Sequence, residues 1–240
     1  MADIPERLYK YLAAERLDVL AMKRIRFTQP CFCNDPFEFR PGMPVPGPQG
    51  LGHFELSTAR RRDDEYDEKS RVTGVLSLTA KRDSIPMWTH YAESHRGFVI
   101  GFDTKSAFFS EAIKADKLAR VDYQKDRVSL TRGLEAASWT HPDAIFTTKS
   151  TEWEYEEEWR WLELAPPEGA EVVTASNGEL VFLRPLPPES VCEVILGCRA
   201  DRCLTESILA IKSSTDYQHV TLFRVETDDN AYKLNIRSFP

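Results

Sequence analysis

Two short apolar runs constrain the fold more than any other feature of this chain. Residues 72–79 (VTGVLSLT) and 97–102 (GFVIGF) are largely apolar along their length instead of alternating, the mark of strands covered on both faces. Between them, residues 85–94 carry Met87, Trp88 and Tyr91 at helical spacing, which predicts a strand–helix–strand unit. A helix over 13–24 is followed by a strand over 25–28. Thr104 is placed to cap a helix through Phe108, Phe109 and Ile113, and two more helices are expected over 127–139 and 204–213. Further strands are expected at 121–123, 155–164, 172–174, 180–183, 191–197, 220–225 and 232–236. Helices and strands interleave, and the later half is strand-heavy. That pattern predicts the α+β class: a single domain, 1–240, with a mixed, strand-rich central sheet flanked by helices.

One stretch falls outside this scheme. Residues 41–52 (PGMPVPGPQGLG) hold four prolines and four glycines, and a mixed-charge run beginning Arg60-Arg61-Arg62-Asp63-Asp64-Glu65 continues to Arg71. No helix or central strand tolerates that proline and glycine density, so 41–71 is read as an exposed loop and charged insertion.

Charge narrows the function. Thirty-one basic residues face 38 acidic ones, for a net charge of −7. General coating of nucleic-acid phosphates is disfavoured by that sign, although a local basic cleft is not. Nowhere do eighteen apolar residues run together, so no membrane helix is expected, and the N-terminal MADIPERLYKYLAAER has no apolar core of a secretory signal. Five cysteines, Cys31, Cys33, Cys192, Cys198 and Cys203, then read as reduced thiols of a cytoplasmic protein. Cys31-x-Cys33 is tighter than a zinc knuckle allows, and His90 and His95 do not share a helical face, so no metal is expected.

The chain lacks the glycine-rich dinucleotide fingerprint, the P-loop, the zincin motif and the nucleophile elbow. Unusual side chains gather in two other places. The first runs from Asp83 through Trp88, His90 and Tyr91 to His95-Arg96-Gly97. The second, residues 153–164 (WEYEEEWRWLEL), reads as a strand. One face would hold Glu156, Glu158, Arg160 and Leu162, and the other Glu157, Trp159 and Trp161. The first face thus opens with two carboxylates and an arginine, as a strand does when it enters a sheet from a polar cleft.

These segments carry a resemblance to a bacterial family, domain of unknown function 2971. It rests on Leu8-Tyr9-Lys10-Tyr11, Phe32-x-Asn34-Asp35-Pro36-Phe37, Met87-Trp88-x-His90-Tyr91-x-x-x-His95-x-Gly97-Phe98, Lys149-Ser150-x-x-Trp153-x-Tyr155-Glu156-x-Glu158-Trp159-Arg160 and Ile195-Leu196-Gly197. Cys33 stands where that family usually has a small polar residue. The resemblance implies a strand over Leu8 to Tyr11, where the residues alone leave helix or strand open.

The order of parts is also similar to that of an ADP-ribosyltransferase, whose sheet is split. In that fold an early strand supplies a polar or aromatic residue, a later helix supplies aromatics, and a still later strand begins with glutamate. That likeness implies an NAD-dependent enzyme of toxin or phage-defence type, with NAD as substrate and no metal. Glu158 would stabilise the positive charge of an oxocarbenium-like transition state, Glu156 would orient the acceptor or act as base, and Tyr91 would stack on nicotinamide. Tyr9, Tyr11, Trp88 and His90 would hold the cofactor, and Arg96 or Arg160 would pair with pyrophosphate or orient Glu158. The acceptor would be a protein or a nucleic acid. Two rival expectations stand beside this one: a non-catalytic nucleotide- or protein-recognition domain, and a metal-dependent nuclease using Asp35, His90, Glu156 and Glu158.

Overall fold

Both apolar runs are strands, and each is covered on both faces. A computed structural model describes residues 3–37, 39–40, 42, 67–68, 70–127, 143–163, 169–174 and 180–239. The 41–71 insertion and the helix expected over 127–139 fall almost entirely outside the described residues. In chain order the strands are β1 (Arg7–Leu12), β2 (Arg24–Phe27), β3 (Gly74–Thr79), β4 (Phe98–Asp103), β5 (Leu118–Arg120), β6 (Asp122–Gln124) and β7 (Thr148–Ser150). There follow β8 (Glu158–Glu163), β9 (Glu171–Thr174), β10 (Leu180–Pro185), β11 (Val191–Leu196), β12 (Thr221–Thr227) and β13 (Leu234–Ser238).

Eight of them form one mixed sheet in the order β13-β12-β11-β4-β1-β3-β8-β5, with β2-β10-β9 and β6-β7 as smaller sheets. The β11–β12 pair is parallel and the other neighbours in the large sheet are antiparallel. This is a mixed α+β architecture. Apolar residues divide between its two faces by strand alternation. Leu8, Leu12, Phe98, Ile100, Phe102, Trp159 and Trp161 enter the larger core, where Phe108 and Phe109 of the helix Ala107–Lys114 pack on Trp161. Tyr9, Tyr11, Val99 and Ile195 lie on the opposite face beneath the helix Ile85–Tyr91, whose Met87 and Trp88 are buried.

Several boundaries differ from expectation for local reasons. The stretch read as a helix over 13–24 is a 3-10 turn (Ala14–Leu17) and one short helix (Asp18–Ala21), and the chain then turns through Lys23 at φ 52° into β2. Thr104 is not a helix cap: its hydroxyl donates to the Pro5 carbonyl at 2.6 Å, and the helix starts three residues on. The strand expected from residue 155 begins only at Glu158. Residues Thr151–Glu156 form a 3-10 helix, and Glu157 reverses the chain in the left-handed region at φ 43°. From Glu158 onward the alternation holds. Asp201 caps the last helix, Arg202–Lys212, by accepting the Leu204 N–H at 2.8 Å. No helix among the described residues is long and apolar enough to cross a membrane.

Candidate functional site

Strand register assembles a row of chemistry across the middle of the large sheet. Glu193 of β11 faces Gly101 of β4, Gly101 faces Tyr9 of β1, Tyr9 faces Thr79 of β3, and Thr79 faces Glu158 of β8. Directly paired residues project to the same face, so residues far apart in sequence become neighbours. Gly101 leaves the space in which Glu193 and Tyr9 meet, because a Cβ there would stand 2.4 Å from the Glu193 Cγ. Arg7 and Arg82 bond the Glu193 carboxylate at 3.1 and 3.2 Å and balance its burial.

The sheet is split beside this row. Six register pairs join β1 to β4, from Arg7↔Asp103 to Leu12↔Phe98, and six join β3 to β8, but β1 meets β3 only at Tyr9↔Thr79. Beyond that point β1 and β3 diverge. Thr28 takes the β3 edge at Val75 through two 2.8 Å backbone bonds, and the Lys10 ammonium reaches the Ser77 carbonyl at 2.9 Å. A cleft of about 380 Å³ opens over the split, lined among others by Tyr9, Tyr11, Asn34, His90, Tyr91 and both glutamates.

The two carboxylates share one ammonium. Lys149 of β7 donates to Glu156 Oε2 at 2.6 Å and to Glu158 Oε2 at 3.0 Å, and its Nζ lies 5.0 Å from the Trp153 ring centroid. Tyr91 donates its hydroxyl to Glu156 Oε1 at 2.7 Å. Arg160 grips Glu158 with two bonds of 2.9 Å, donates to the Phe146 carbonyl at 2.6 Å, and stacks on Phe39. Glu156 and Glu158 are only 3% and 4% exposed. Burial pushes the Glu158 carboxyl up, but Arg160 and Lys149 outweigh it and hold the group at about 2, ionised at any physiological pH. Burial and Glu156 raise the Tyr91 phenol, so it remains a proton donor to that carboxylate. Burial raises Tyr9 to about 12 and depresses the Lys10 ammonium.

Of the residues singled out from sequence, Tyr9, Tyr11, His90, Tyr91, Glu156 and Glu158 line the one cleft. Three do not. Trp88 is fully buried against Tyr11 and spends its indole N–H on the Arg82 carbonyl at 3.0 Å. Arg96 is exposed on the turn after the helix, outside the cleft lining. Arg160, fully buried, stands behind Glu158 and positions it; a pyrophosphate has no access to its guanidinium. Asp35 is likewise absent from the cleft lining, and its Oδ1 accepts the Phe37 N–H at 2.9 Å. The space between Glu156 and Glu158, which a nuclease would give to a cation, holds the Lys149 ammonium. Among the described residues no group of three or more His, Cys, Asp or Glu is placed to hold a metal ion.

Sequence reasoning missed Lys149, Lys10 and Ser77 as site residues. Lys149 was visible within the Lys149-Ser150 motif, but nothing in the linear order tied it to carboxylates on the far side of a 3-10 helix. Tyr123 was missed too; its hydroxyl accepts the Glu158 N–H at 2.8 Å where β8 begins.

Searches of curated proteins and of solved structures return no match to the chain. The family model described as "Protein of unknown function (DUF2971)" matches residues 87–161, the segment that runs from the helix under the cleft through Lys149 and both glutamates to Trp161.

Proposed function

We propose that this protein cleaves the nicotinamide–ribose bond of NAD and passes ADP-ribose to an acceptor, as an ADP-ribosyltransferase does. The observation that carries the reading is the split between β1 and β3, with Tyr9, Tyr11, Tyr91, Glu156 and Glu158 gathered over it. Departure of nicotinamide leaves positive charge on the ribose, and a fixed anion in a sheltered cleft stabilises it without reorganisation. Glu158, ionised and clamped, supplies such a charge.

The two acids divide the work by their free acceptor capacity. A carboxylate has about four lone-pair sites. Arg160, Lys149 and the Ser77 hydroxyl fill those of Glu158. Glu156 serves only Tyr91 and Lys149 among the described residues and keeps room for a ribose hydroxyl. The tyrosines offer flat faces to nicotinamide, and Lys10 offers a cation toward the phosphates.

The test is nicotinamide release from NAD by the purified protein, beside Glu156→Gln and Glu158→Gln. Loss of a charge-stabilising group predicts release slower by about 100-fold in either variant, with thermal stabilisation by NAD retained. Neither release nor stabilisation in the wild type overturns the reading. A second reading, nucleotide recognition without catalysis, draws on the saturation of Glu158. It predicts stabilisation by NAD, no release with any acceptor, and unchanged affinity in Glu158→Gln.

A further inference from the structure

One motif belongs to the cleft only in part, the run Phe32-x-Asn34-Asp35-Pro36-Phe37. Its first half serves the cleft, since Phe32 and Asn34 are in the lining. Its second half turns away. Asp35 is buried and ties the Phe37 N–H at 2.9 Å, a short Asx turn that presents the Phe37 ring to solvent at 62% exposure. The Arg127 guanidinium lies 5.6 Å from that ring's centroid and donates to the Arg40 carbonyl at 2.9 Å. Together they border a second pocket of about 260 Å³. Among the described residues, Arg40, Lys125 and Arg127 line it with exposed cationic side chains, against the acids Asp35 and Asp126. The chain as a whole has a charge of −7, so this is a local reversal of sign.

Lys149 lines both pockets, and the two cavities therefore share it as part of their walls. We propose that the second pocket receives the acceptor of the transfer and that the acceptor is a nucleoside phosphate, its base stacked on Phe37 and its phosphate against Arg40, Lys125 and Arg127. An exposed aromatic face beside a row of cations is the arrangement that holds unpaired bases. This inference rests on the transfer reading for the word acceptor; the pocket's ligand chemistry stands on its own residues. In the transfer, an oxygen or nitrogen lone pair of the acceptor bonds to the ribose C1′. The C1′–nicotinamide bond breaks, its electron pair leaves with neutral nicotinamide, and the acceptor's proton passes to Glu156.

The experiment measures binding of a fluorescent, 5′-phosphorylated single-stranded oligonucleotide by anisotropy, with AMP as a competing free nucleotide. Wild type, Phe37→Ala, Lys125→Ala and Asp201→Ala, whose residue lines neither pocket, are compared after thermal melts establish that each is folded. Phe37→Ala is expected to weaken binding about tenfold. Lys125→Ala is expected to weaken it less and to flatten its salt dependence, and Asp201→Ala to bind as wild type does. Full displacement by AMP identifies a free nucleotide as the ligand, and displacement only by other strands identifies single-stranded nucleic acid. No binding of either probe, or equal affinity in Phe37→Ala, overturns the proposal. NAD cleavage without nucleotide binding refutes this inference alone. Nucleotide binding without NAD cleavage refutes the transfer reading and leaves the pocket's ligand assignment supported.

Discussion

Replacing Lys149 with methionine keeps an unbranched side chain one atom shorter and removes the ammonium that both buried carboxylates share. Glu156 loses its 2.6 Å partner and Glu158 its 3.0 Å partner, while Tyr91 and Arg160 remain. Removing one side of a buried ion pair costs about 3–5 kcal/mol, because the partner stays buried without compensation. Glu158 gives an independent scale. Its carboxyl is held at about 2 against an ordinary 4.5, a stabilisation of about 3 kcal/mol shared between Arg160 and Lys149.

The folded value lies below the unfolded one, so this stability is fully present above pH 4.5 and is lost as pH falls toward 2. In Lys149→Met the Glu158 carboxyl loses one of the cations that hold it down and titrates higher, and acid relieves the repulsion between the two acids instead of breaking an ion pair. The melting temperature of the variant is therefore expected to lie on the order of 10 °C below wild type at neutral pH. The gap narrows as pH falls toward about 4, within the range where an unpaired carboxyl titrates. The assay is thermal denaturation by circular dichroism at several pH values, repeated in about 0.5 M salt, which screens a buried pair little. A variant melting within about 2 °C of wild type at neutral pH, or a gap that does not change on acidification, refutes the reasoning.

Two further changes probe the frame around the site. Gly101→Ala places a methyl 2.4 Å from the Glu193 Cγ and 3.0 Å from the Tyr9 ring, so urea unfolding is expected to show a loss of about 1–3 kcal/mol. The same variant displaces Tyr9 and is expected to weaken stabilisation by NAD. Asp201→Ala removes the cap of the helix Arg202–Lys212, none of whose residues lines the cleft; a loss of about 1 kcal/mol is expected, with NAD stabilisation unaltered.

What was legible from sequence followed from periodicity. The two apolar runs, the helix between them and the Trp159/Trp161 alternation against Glu158/Arg160 all express local patterns that burial enforces. What local pattern could not express was where a chain direction changes. Glu157 adopts a left-handed conformation with no glycine to announce it, and a run that alternates as a strand starts instead as a 3-10 helix. For the same reason Trp88, an aromatic beside Tyr91 in the sequence, is turned by the helix into the core while Tyr91 reaches the cleft.

The sequence by itself determined that this chain forms a mixed α+β sheet of buried strands and that its unusual side chains collect around Tyr91 and Glu158. Hydrophobic periodicity is a property of neighbouring residues, so a single chain displays it. The row Glu193–Gly101–Tyr9–Thr79–Glu158, the gap between β1 and β3, and the ammonium of Lys149 set between two carboxylates were decided only by tertiary structure. Strand register and long-range charge pairing join residues as distant as Arg7 and Glu193, 186 positions apart, or Lys23 and Asp216, and no local pattern encodes which strand edge meets which.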